Sequence, residues 1–367
     1  MQAPISISQS ASRFTYPWMF GRKIDLFFFF LPALFAITIV ALLTTPQVQH
    51  SIFWFNLLIL VFGAGGFHWG GTWFMYFDKK NMEHYLSCPK KRLIFLAAPP
   101  VILGLSILGA FAAPAMMQFI TIAWAVQHLV QQNVGILLLY HNQKRNEAIV
   151  DRKIEVRTMH SGGYLFTTMF FFRTIMHDTS SIAYGVTIGA MSIWFLWSVA
   201  DYLTRTYKMV REGKDVNVPA FGFWAISILS FLPLGFWGHG FDQDLLIPAT
   251  MHWFQYIGLN YELVKTKYAE SAQRAQNVLS HPLAGFFVLS VLLCSLSLAL
   301  GLGKGMYQIN GMSGTPVVIV MTGVLAGLAN IHYFLDAFIW RFREEFNRAA
   351  ILPYLLDYRK KSTAAGE

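Results

Sequence analysis

The chain has 367 residues, 55% of them hydrophobic and 13% charged, with a mean hydropathy of +0.46. Soluble domains carry about 25% charged residues, so an ordinary soluble domain is excluded. The formal charge of +9 invites a nucleic-acid reading, which its distribution along the chain removes.

Apolar runs recur along the whole length and predict an all-α, polytopic helix bundle, a single integral membrane domain over 1–367. Ten spans are expected, at about 24–44, 52–77, 93–115, 117–140, 164–177, 185–203, 218–237, 245–265, 284–303 and 314–341. The first is too long, and wrongly flanked, for a cleaved leader. Pro99-Pro100 is expected to kink the third, with neighbouring helices satisfying the freed backbone groups. The fifth is short. Cys88 lies in a basic loop and Cys294 in an apolar run, so no disulfide framework is expected.

The connections alternate in charge. Of 28 Lys and Arg, 26 fall in the N-terminal segment, the loops 78–92, 141–163, 204–217 and 265–283, and the tail from Arg341. The other connections hold almost none. By the positive-inside rule the basic side is cytoplasmic and both termini lie there. The charge therefore reads as topology, and no nucleic-acid partner is expected.

Four spans carry a histidine at depth. His68 lies nine residues before Phe77, His128 12 before Tyr140, His252 13 before Lys265 and His332 nine before Arg341. At ~1.5 Å per residue all four fall roughly 13–20 Å from the basic edge, in one layer. Polar groups at such depth face the bundle interior and mark function. Imidazole is a common metal ligand, and histidines from different helices can converge on an ion in a bundle core. Asp336 shares a helix face with His332 and is expected to ligate the metal or to accept a ring N–H. His141 is a further candidate ligand.

Supporting side chains are expected at helical spacing: Gln131 and Gln132 after His128, Gln255 and Tyr256 after His252, Thr72 after His68, with Glu262 lower on the eighth span. His84 and His160 fall in basic loops. His177 and His239 fall at the outer edge, where "GHGFDQD" is a weak cation candidate. The plain alternatives are interhelical hydrogen bonds for each histidine, an Asp336–Arg343 ion pair, and snorkelling of Arg173 or its pairing with Asp178.

Several chemistries are excluded by motif. H-E-x-x-H, paired C-x-x-C, G-x-S-x-G, phosphate loops and dinucleotide fingerprints are all missing. So are the H-x-x-x-H and H-x-x-H-H boxes of membrane desaturases and hydroxylases. The segments "HYFLDAFIWRFR", "MHWFQY" and "VQHLVQQ" resemble those of a family of His-rich bacterial multi-pass membrane proteins. In architecture and histidine placement the chain is also similar to the bacterioopsin-related, β-carotene-cleaving membrane dioxygenases. That resemblance implies His68, His128, His252 and His332 as ligands of a non-haem iron, O2 as co-substrate, a lipid-soluble substrate and residence in a bacterial inner membrane. Asp336 beside the cluster departs from that plan and leaves a second metal open. The function expected is a membrane oxygenase with mono- or dinuclear iron acting on a carotenoid, terpenoid or acyl chain. Copper, zinc or haem are the other cofactors compatible with the residues. A haem-binding or quinone-linked electron carrier and a proton-coupled transporter are the alternatives.

Overall fold

The computed structural model describes residues 14–43, 64–143, 152–236, 245–276, 278–312 and 314–356. The described chain is almost wholly helical. Its main elements are α1 (Leu31–Leu43), α2 (64–74), α3 (Ala98–Ala112), α4 (Pro114–His141), α5 (Arg152–Phe170), α6 (Ile182–Arg211), α7 (Val218–Leu229), α8 (Leu246–Lys267), α9 (Pro282–Ile309), α10 (Pro316–Ile339) and α11 (Glu345–Leu355). One departure from the all-helical expectation is a two-residue parallel pairing of Phe14–Thr15 with Val216–Asn217.

Six helices among the described residues are long and apolar enough to cross a membrane: Pro89–Ala112, Pro114–His141, Ile182–Arg211, Val218–Phe236, Pro282–Gln308 and Pro316–Ile339. The chain is membrane-like in this sense. Burial separates the six. More than half of the apolar window of α4 is buried, against 6% for α6. α4 is therefore an interior helix, whereas α6 turns its apolar surface outward, as a lipid-facing helix does.

Local chemistry explains where the helices begin. Proline opens α4, α9 and α10, where its missing N–H costs nothing. Ser181 accepts the Tyr184 N–H at 3.0 Å to cap α6, and Asn217 accepts that of Ala220 at 3.0 Å to cap α7. Before Pro99-Pro100 the helix widens into a π-helical turn, Leu93–Ala97. Pro99 cannot bond the carbonyl four residues back, that of Phe95, and the Tyr76 hydroxyl donates to it instead at 2.7 Å.

Two expectations need correction. The helix at the fifth expected span is longer than that span: α5 runs from Arg152 and continues through π-helical Phe171–Ile175, so much of the expected 141–163 loop is helix, although α5 is not among the six helices long and apolar enough to cross a membrane. His160 therefore lies within α5, its Nδ1 on the Val156 carbonyl at 2.8 Å. The 78–92 loop likewise holds helices Lys79–Leu86 and Pro89–Arg92, and His84 stacks on Phe346 at 3.7 Å. Residues 52–63 of the second expected span, and the "GHGFDQD" stretch with His239, lie outside the described residues.

Close helix approach rests on glycine at two places. A Cβ on Gly66 would meet Ser297 Cβ at 2.5 Å, and one on Gly70 would meet Ser290 Cα at 2.8 Å, so α2 lies against α9 along a G-x-x-x-G stripe. The same spacing at Gly323 and Gly327 lets α10 press onto α3, where a Cβ on Gly323 would sit 2.6 Å from Ile107 Cα. These two contacts set the depth and rotation of the helices carrying His68 and His332.

Candidate metal centre

Four helices deliver one histidine each to a common point: His68 from α2, His128 from α4, His252 from α8 and His332 from α10. All four are buried. Ring centroids stand 4.6 Å apart for His68–His332, 4.9 Å for His68–His252, 4.8 Å for His128–His252 and 4.9 Å for His128–His332. Polar ties hold the helices in register. Gln132 Nε2 donates to the His252 carbonyl and to Gln255 Oε1, each at 3.1 Å, joining α4 to α8. Asn330 Nδ2 reaches Thr121 Oγ1 at 3.1 Å and Ser106 Oγ at 3.4 Å, joining α10 to α4 and α3.

The ring nitrogens face one another. His68 Nε2 lies 3.1 Å from His332 Nε2 and 3.3 Å from His252 Nε2. Neutral imidazole has one N–H and one bare nitrogen. His332 Nδ1 stands 2.7 Å from Thr72 Oγ1, and Thr72 gives its own proton to Asp336 Oδ1 at 2.8 Å. His332 Nδ1 is then the donor to Thr72, and its Nε2 is the bare nitrogen. At most one shared proton could join the three Nε2 atoms, which leaves nitrogen lone pairs crowded together in a buried site. A single cation between them would use all three. Metal–nitrogen bonds of ~2.1 Å place neighbouring ligands about 3.0 to 3.4 Å apart at octahedral and tetrahedral angles, and the observed separations lie inside that interval.

A second donor group adjoins the first. His128, His332 and Asp336 present ligand atoms that all lie within 4.8 Å of one another, as do those of His68, His252 and His332. His128 Nε2 and Asp336 Oδ2 stand 3.9 Å apart, and both are buried without a hydrogen-bond partner. Orphaned buried polar atoms are costly, and a ligand between them would remove the cost. On both counts the residues present fit a small metal ion.

Asp336 is held from the other side. Tyr256 donates to its Oδ1 at 2.8 Å, beside Thr72, and Trp340 Nε1 lies 3.3 Å from the Tyr256 hydroxyl. The chain His332–Thr72–Asp336 fixes one imidazole's tautomer through a hydroxyl, the usual support of a metal-bound histidine. Asp336 is thus engaged within the cluster and not with Arg343. Thr72, expected beside His68 on its own helix, serves His332 across the bundle.

Other expected residues lie apart. His141 Nε2 sits 2.9 and 2.8 Å from the two carboxylate oxygens of Glu155 on α5, thirteen residues down α4 from His128. That is roughly 20 Å along the helix, so it is not a ligand of this cluster. Glu262 pairs with Lys265 at 3.3 Å. Arg173 donates to the carbonyls of Gly235 and Leu234 at 2.6 and 2.9 Å, while Asp178 accepts the Ser181 N–H. Gln131 is exposed and faces a cavity of about 690 Å³ that reaches His128, Asp336 and Tyr256 at its inner end. Trp340 joins the network because its place one turn after Asp336 puts it on the same helix face.

No protein-family model, curated protein or solved structure matches the chain.

Proposed function

We propose that this protein is a bacterial inner-membrane metalloenzyme, most of whose ten expected spans wrap a metal ion held by His68, His252 and His332, with His128 and Asp336 completing the shell or holding a second ion. The observation that carries the reading is the convergence of three Nε2 atoms at 3.1 and 3.3 Å. A mixed imidazole and carboxylate set favours iron among the candidates, with copper or zinc as the competing occupants. The haem alternative asks for two ring nitrogens about 4 Å apart on opposite faces of a macrocycle, an arrangement less compatible with a His68 nitrogen that touches two other ring nitrogens at once.

The reaction class proposed is oxygenation of a lipid-soluble substrate such as a terpenoid, carotenoid or acyl chain. Iron in such a donor set supplies the chemistry toward O2. The protein's own residues do the rest. Thr72 and Asp336 hold the His332 tautomer, Gln132 anchors the backbone at His252, and the bundle buries the donor set. The cavity at His128 and Asp336 is the route by which a substrate reaches the cluster.

The test is metal analysis of the purified protein against the His252→Ala/His332→Ala double variant. Near-stoichiometric metal in the first and background metal in the second is expected. Equal metal content would refute the site.

A further inference from the structure

The cavity that ends on the cluster has a second, basic end. Its lining includes Arg152 at the start of α5 and Arg341 and Arg343 in the turn between α10 and α11. Between the two ends the wall is largely apolar, from Leu139, Leu259, Phe342, Leu352 and Leu356. Among the described residues Asp336 is the single acidic residue in the lining, and it lies at the closed end, engaged by Thr72 and Tyr256. None of the three arginines enters an ion pair among the described residues; Arg341 only rests over the Phe338 ring at 4.9 Å. Arg152 and Arg343 are exposed, so this end is the mouth.

Arginines at a membrane edge are expected from the positive-inside rule alone. What goes beyond it is that all three guanidinium groups belong to one cavity with the buried donor cluster. A volume of about 690 Å³ is in the range of sites that enclose a small molecule. Guanidinium is the side chain suited to bidentate pairing with carboxylate or phosphate.

We infer that the cavity binds an anionic amphiphile, its acidic head paired with Arg152, Arg341 and Arg343 and its apolar chain running inward to His128 and Asp336. This inference rests on the metalloenzyme reading for its meaning as a substrate class, and it narrows that class to lipids with a carboxylate or phosphate head. Asp336 lies in the last turn of α10 and Arg341 in the turn beyond its end, at the other end of the cavity, so the chain and not the head group is presented to the cluster.

The full-length protein in detergent is titrated with the fluorescent fatty acid cis-parinaric acid and with its methyl ester. At least tenfold tighter binding of the acid is expected. Arg341→Gln/Arg343→Gln should remove that discrimination while changing ester binding less than twofold. Gly135 lines the cavity, and a Cβ there meets nothing within 4 Å, so the bulk of Gly135→Phe enters the cavity and should block both probes. Displacement by palmitate or by hexadecyl phosphate identifies the head group. Equal binding of acid and ester by the wild type, unchanged discrimination in the arginine variant, or no displacement by either anion would overturn the proposal. Metal content measured on the same samples separates the two readings. Discrimination without metal sinks the metal site alone, and metal without discrimination sinks this inference alone.

Discussion

Helix α4 carries two buried histidines that solve the same problem differently. His141 meets the Glu155 carboxylate at 2.8 Å, and Tyr202 adds a hydroxyl to that carboxylate at 3.4 Å. A ring nitrogen faces a carboxylate, so no lone pairs are forced to oppose one another, although the other ring nitrogen, Nδ1, has no hydrogen-bond partner among the described residues. His128 faces other imidazoles and a carboxylate oxygen, with its Nε2 and Asp336 Oδ2 both unsatisfied. Burial alone does not mark a metal site, since both histidines are buried. The mark is a set of lone pairs that point at one another and that protons cannot reconcile.

This contrast can be broken in order of expected effect. The largest belongs to His332, which is common to both donor groups. His332→Ala should bring metal content to background, whereas His141→Ala should leave it unchanged; elemental analysis of both proteins decides. His141→Ala should instead cost stability, about 1–3 kcal/mol, because the buried Glu155 carboxylate loses its imidazole hydrogen-bond partner. Thermal unfolding in detergent reads that loss, and a variant as stable as the wild type would show that the pair contributes nothing. Thr72→Val, which keeps the shape and removes the hydroxyl, should weaken metal affinity by about 10- to 100-fold, with Thr72→Ser restoring most of it. Competition against a chelator measures this. The smallest effect is expected for Gln132→Ala, about 1 kcal/mol of stability with metal retained, since it removes a hydrogen bond to the His252 backbone and not a ligand.

The shared depth of His68, His128, His252 and His332 was legible because helix rise converts sequence distance into height, and a charged edge supplies the zero. Rotation about each helix axis was not. That is why Thr72 was assigned to the histidine on its own helix, when it crosses to His332 on α10. The partner of His141 was hidden for another reason. Glu155 lies in a stretch polar enough to read as a loop, yet α5 begins at Arg152 and buries it fully. The cavity mouth was concealed as well, because its arginines look like topology signals until α5 and the α10–α11 turn are placed side by side. Tyr76 on the Phe95 carbonyl was foreseeable only in kind: the prolines announce a freed acceptor, but not which residue answers it.

The central claim is that imidazoles from separate helices share one ion. X-ray absorption at the metal edge of the purified, iron-loaded protein addresses it directly. The account predicts a first shell near 2.1 Å with the multiple-scattering signature of at least three imidazoles, lost in His332→Ala. An oxygen-only shell, the same in both proteins, would contradict it.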